Sequence, residues 1–228
     1  MPRGCDRDSG RPAGGDIGFG PTPGLDQNAG VDLHRWIIEE HRSVWRRFAD
    51  GIVDRVPTDR WTEHADGGGS TIGFLVFHTA VHADYSGRTV CRGLHPLLDG
   101  HREALGLDGM PADRGVAEAE DADIVASLSM PALLGYARAV HENNAAWLEA
   151  LRIEGAVAGK STALETIPPA SDRLTDLTGM APEALPWLRT MWADKPIWWH
   201  LQWEVTGHLL NHVGEMVAVR NRMGLSPF

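Results

Sequence analysis

The chain has 228 residues, 43% of them hydrophobic, and a formal net charge of -10, which allows one domain with a real core and leaves little room for two. The acidity argues against nucleic acid, whose phosphates need clustered Lys and Arg, and against an anionic membrane surface. Two cysteines, Cys5 and Cys91, with no CxxC exclude a disulfide scaffold and a thiolate zinc site and fit a reducing cytoplasm, and there is no apolar run long enough to span a bilayer.

Residues 1–30 are Gly, Pro and Asp from end to end, without a signal-peptide apolar region. Such a segment cannot bury enough surface to offset its ordering entropy, so a mobile, dispensable tail is expected there. The remaining residues, 31–228, form the expected folded domain. A first helix is expected to start at Asp32, a good N-cap, with Leu33, Trp36, Ile37, Val44, Trp45, Phe48 and Ile52 on a broad apolar face and Pro57 as its stop. A second opens after "GGGS" with Ser70 or Thr71 as cap and runs to Gly93, a natural C′ glycine. Residues 94–127 read as irregular, with short helical turns near 100–106 and 120–128. A third helix is set up by "SMP", with Ser129 as cap and Pro131 in the first turn; Leu133, Leu134, Ala137, Val140, Trp147, Leu148 and Leu151 mark its buried side. Residues 155–195 again read as irregular. A fourth helix runs from near Pro196 to near Gly224. No alternating strand pattern and no internal repeat is visible, so the fold expected is all-α, a four-helix bundle with two long connections.

Eleven histidines are present. Six of them (His34, His41, His64, His95, His101 and His141) fall in loops or on mixed faces and need no special role. The second and fourth helices differ. In "FHTAVHAD", His78 and His82 stand four apart on a strongly apolar helix. In "HLQWEVTGHLLNHVGEM", His200, Glu204, His208 and His212 recur every fourth residue, and Glu215 follows. Side chains at i and i+4 lie one above the other, so His208 and His212 can reach one ion, with a third ligand from a facing helix. His78 and His82 are both candidates for that third position. A three-histidine site suits zinc, nickel or ferrous iron and leaves coordination positions open. Glu204 and Glu215, one turn either side of the pair, are candidates to hydrogen-bond a ligand ring N–H, and His82 is a third candidate for a supporting role. Trp199 and Trp203 precede the motif. Core packing explains large aromatics more often than a pocket does, but both are candidates for an apolar mouth above the metal.

Two stretches carry a family resemblance. "STIGFLVFHTAVHADYSGRTVCRG" resembles the second helix of the DinB-like superfamily, and "HLLNHVGEMVAVRNRMG" resembles its last helix, where HxxxH is followed by a Gly-Gln or Gly-Glu pair and a basic residue near a terminal Gly. "LLGYARAVHENNAAWLEAL" matches the third helix in pattern, so the resemblance covers about residues 31–228. The nearest branch looks like the group that includes mycothiol-dependent transferases and maleylpyruvate isomerase-like proteins. It implies a four-helix bundle holding a divalent metal, with His78 in the second-helix ligand position and His208 and His212 as the final-helix pair. His82 departs from the pattern: relatives commonly carry a carboxylate near it, and here Ala83 is followed by Asp84. The expected activity is thiol S-transfer, in which a metal-bound thiolate of mycothiol or a similar small thiol attacks a small-molecule electrophile, with zinc the expected metal. Isomerisation or cyclisation by Lewis-acid activation, and a non-catalytic, stress-associated metal-binding protein, are the alternatives. A homodimer is left open.

Overall fold

A computed structural model describes residues 32–119, 122–158 and 170–227; the expected tail over 1–30 lies outside them. Among the described residues every regular element is helical and there is no strand. Helix α1 spans Leu33–Phe48, its start fixed by the Asp32 carboxylate, which accepts from the Arg35 N–H at 3.0 Å. It continues as a π-helical turn, Ala49–Val53. Ile38, Val44, Phe48 and Ile52 are buried, whereas Trp36, which periodicity puts on the apolar face, is 51% exposed.

Helix α2, Ile72–Asp84, opens on Thr71, whose hydroxyl accepts from the Phe74 N–H at 3.2 Å. It is apolar on nearly every side and buried along almost its whole length, the mark of a central element. A π-helical stretch, Tyr85–Val90, carries it on. Gly93, at φ +65°, ends it and donates its N–H to the Thr89 carbonyl at 2.9 Å. Two short helices, α3 (Arg102–Leu105) and α4 (Ala122–Ser127), lie where helical turns are expected. Helix α5 is the longest, Met130–Ala158. The stretch that reads as irregular after it contains α6, Ala170–Thr178, and α7, Pro186–Trp192, the latter bracketed by Leu185 and Asp194 in left-handed conformations.

The last element is continuous from Ile197 to Arg222 but not uniform. Helix α8 (Ile197–His200) passes through a π-helical segment, Leu201–Gly207, into α9 (His208–Arg222). Gly207 makes that segment possible: a Cβ there would stand 2.7 Å from the Gln202 carbonyl oxygen. The wide turn takes up an extra residue and sets the phase in which α9 presents its histidines. Helix α2 packs between α5 and α9, and α1 packs on both α5 and α9. Asp32–Phe228 gather into one unit, and no helix among the described residues is long and apolar enough to cross a membrane.

Two of the histidines read as needing no special role are part of the packing. His41 is buried and stacks on His141 at 4.3 Å between ring centroids, and His141 stacks on Trp45 at 4.5 Å. Burial lowers the His41 pKa and, with the nearby His41 and Arg42, takes His141 down to about 3. His200 is held at about 4, by burial against the opposing pull of Glu204. Unfolded, each would titrate near 6.5. Below that pH the unfolded chain binds more protons than the folded one, so stability is complete above 6.5 and falls as the pH drops toward 4, by at most about 1.4 kcal/mol per pH unit per group. Denaturant unfolding in chelator at pH 7 and pH 5 should show the lower value at pH 5, and His200→Gln should flatten the difference. A flat wild-type profile would contradict neutral burial of these rings.

Candidate metal centre

The i,i+4 pair on α2 and the i,i+4 pair on α9 meet across the α2–α9 contact. Ring centroids of His78 and His208 are 4.8 Å apart, those of His78 and His212 5.2 Å, and those of His208 and His212 4.8 Å. His82 joins them, 4.6 Å from His78 and 4.4 Å from His208. His78, His82 and His208 form a buried group that could hold a metal ion, with one ligand atom from each within 4.8 Å of the others.

The partners of the rings differ. His78 donates from Nδ1 to the Gly115 carbonyl at 3.1 Å. Burial, then the neighbouring His82 and His208, push its pKa to about 2, so the ring is neutral and its Nε2 carries a lone pair. That Nε2 faces Nε2 of His208 at 3.1 Å. Ligand nitrogens at about 2.0–2.1 Å from a tetrahedral ion lie roughly 3.3 Å apart, close to this spacing. Nδ1 of His208 lies 3.3 Å from Oε2 of Glu204, within ion-pair reach but without the alignment of a hydrogen bond. His212 donates from Nδ1 to Glu215 at 2.8 Å, which leaves its Nε2 with a lone pair. His82 is tied at both ends, by Nε2 to the Val116 carbonyl at 2.8 Å and by Nδ1 to Glu204 Oε2 at 2.9 Å.

Glu204, on the π-helical segment, is 1% exposed and is the electrostatic hub. Trp192, at the end of α7, donates its indole N–H to Oε1 at 2.7 Å, while Oε2 serves His82 and faces His208. Burial alone would raise this carboxyl, but the close approach of His208, the hydrogen bond from His82 and the charge of both rings outweigh it and hold the group below the ordinary carboxylate range. Neither placement of a single His208 proton satisfies both of its nitrogens. With the proton on Nδ1, two lone pairs oppose each other at the paired Nε2 atoms; with it on Nε2, a lone pair at Nδ1 opposes the Glu204 carboxylate. A cation held by the two Nε2 atoms, with the His208 proton on Nδ1, resolves either conflict, so the residues could hold a metal ion.

The other residues singled out in the sequence lie elsewhere. His200 turns to Ser86, with Nδ1 2.8 Å from its hydroxyl. Trp199 packs edge-on to His200, 5.1 Å between centroids, and Trp203 is 40% exposed. The tryptophan in ring contact with the cluster is Trp192, 5.8 Å from His82. The Gly115 and Val116 carbonyls have no side-chain signature, and only the glycine in "DRGVAE" hints at them. No family model matches this chain, and no curated protein or solved structure matches it.

Proposed function

We propose that the chain is a divalent-metal-dependent enzyme of the DinB-like type, a four-helix bundle of α1, α2, α5 and α9 in which His78, His208 and His212 hold the ion. The observation that carries this reading is the opposed Nε2 pair of His78 and His208 at 3.1 Å. His212 adds a third nitrogen whose ring is oriented by Glu215. Three neutral nitrogen donors suit zinc, and nickel or ferrous iron are compatible with them. Bound there, the ion would supply Lewis-acid chemistry and favour the thiolate form of a small thiol. Solvent reaches the centre along α9: the His212 side chain is 17% exposed and that of Glu215 45%. A small thiol and an electrophile would enter at that edge, and S-transfer is the reaction proposed. The second reading is a closed, non-catalytic metal site, favoured by the presence of His82 in the buried group; the engagement of both His82 nitrogens favours the open site. The test measures metal content of the purified protein, then conjugation of mycothiol or another cellular thiol to a chromogenic electrophile with and without chelator. Conjugation abolished by chelator and restored by zinc is the expected result. Chelator-insensitive conjugation, or none from fully metallated protein with any thiol, overturns S-transfer.

A further inference from the structure

We infer that the segment Leu107–Val116, between α3 and α4, selects which α2 histidine serves as a metal ligand, by presenting two successive carbonyls to opposite nitrogens of two identical side chains; this rests on the metal-centre reading above. A carbonyl oxygen only accepts, so each contact fixes a proton. Gly115 takes the proton of His78 Nδ1 at 3.1 Å, which turns the Nε2 lone pair toward His208. Val116 takes the proton of His82 Nε2 at 2.8 Å and Glu204 takes a second from Nδ1 at 2.9 Å, so with both contacts made His82 donates from both nitrogens and offers no lone pair to a metal. His78 is thus presented as a ligand and His82 is kept as a hydrogen-bond donor, although spacing on the helix treats them alike.

The segment is held to this register by the π-helical continuation of α2 and by α3. Tyr85, fully buried one turn beyond the His82 side, donates its hydroxyl to the Ala112 carbonyl at 2.9 Å. Arg102 donates from Nη1 to the Met110 carbonyl at 2.9 Å. At the other end, Gly115 adopts φ +74°, and a Cβ there would stand 2.6 Å from Cε1 of Phe77, the residue before His78. The chain can approach α2 this closely only as glycine. Tyr85 and Arg102 are therefore positioning residues: they touch no ligand nitrogen and act through the carbonyls that orient two of them.

The experiment measures zinc and cobalt(II) affinity of the full chain by competition with a chromophoric chelator, together with the cobalt(II) absorption spectrum and far-UV helicity. His78→Gln should lose metal by more than the roughly 10–100-fold typical of removing an outer partner, whereas His82→Gln should stay within about tenfold of wild type. Tyr85→Phe should weaken metal by about 10–100-fold and shift the cobalt spectrum, with helicity retained. Arg102→Gln tests the same point if Tyr85→Phe does not fold. Loss in His82→Gln equal to that in His78→Gln would make His82 a ligand and overturn the selection. Unchanged affinity and spectrum in a folded Tyr85→Phe would overturn the positioning role. If the wild-type chain binds neither metal, the metal-centre reading fails. Imidazole nitrogen-15 spectra of metal-free protein then decide the carbonyl assignment alone, with His78 protonated on Nδ1 expected and His78 protonated on Nε2 overturning it.

Discussion

Replacing His208 with alanine is expected to abolish metal binding at the proposed centre. Of the four clustered histidines, His208 has its ring within 4.8 Å of each of the other three centroids. It belongs to the buried group with His78 and His82 and equally to the set completed by His212. The expected loss therefore does not depend on which histidine is the third ligand, and it should exceed the roughly 10–100-fold that follows removal of an outer-shell partner. The effect on folding should run the other way. In metal-free protein His208 carries one such conflict, either a lone pair at Nδ1 facing Glu204 or one at Nε2 facing that of His78, and an unsatisfied buried polar atom of this kind costs about 1–3 kcal/mol. His208→Ala removes that conflict and leaves the apolar core of α1, α2 and α5 intact. Unfolding in chelator should show stability equal to or above wild type, while unfolding in zinc should show the variant well below it, because only the wild type gains from binding. Stoichiometric, wild-type-affinity metal in His208→Ala would remove the basis for the centre. His212→Ala then assigns the third ligand.

The histidine pairs could be read from sequence because they obey a helical period, and local period is what a sequence displays directly. The same holds for Asp32 and Thr71 as caps and for Gly93 as the end of the second helix, each a short-range effect of one side chain or one φ angle. What could not be read depends on other parts of the chain. The π-helical segments at Tyr85–Val90 and Leu201–Gly207 keep an apolar pattern that does not distinguish a wide turn from an ordinary one. The even stripe from His200 to His212 therefore divides in space, with His200 going to Ser86 and His208 to His78. Helices α6 and α7 are short and their stretch is broken by proline, so their periodicity is too brief to register. Trp36 shares a helical face with buried residues, yet what covers that face is decided by neighbouring helices, and its ring is half exposed. Backbone carbonyls carry no residue identity, so the contacts that orient His78 and His82 could be found only from tertiary structure.

Glu204→Ala is expected to be the most destabilising substitution in the centre. The carboxylate is 1% exposed, and it accepts the indole N–H of Trp192, itself fully buried, while its other oxygen is hydrogen-bonded to His82 Nδ1. Alanine leaves the tryptophan donor and a buried histidine nitrogen without partners in one step. Breaking a buried charged pair from one side costs about 3–5 kcal/mol, because the remaining group stays buried without compensation. Glu204→Gln separates charge from shape. Its amide oxygen can still accept from Trp192, and its loss should be nearer about 1–3 kcal/mol. Because the folded carboxyl titrates below its ordinary value of 4.5, the ionised group stabilises the fold fully above that pH and progressively less as the pH falls through the folded value. The gap between wild type and Glu204→Gln should therefore be constant near neutrality and narrow below about pH 4.5. Metal affinity should move separately. Loss of the carboxylate that faces His208 should weaken binding by about 10–100-fold in Glu204→Ala, a smaller effect than removal of His208. Paired denaturant titrations of both variants at pH 7 and pH 4, with zinc competition at pH 7, read all of these effects. A folded Glu204→Ala within about 1 kcal/mol of wild type would mean that this carboxylate does not anchor the centre.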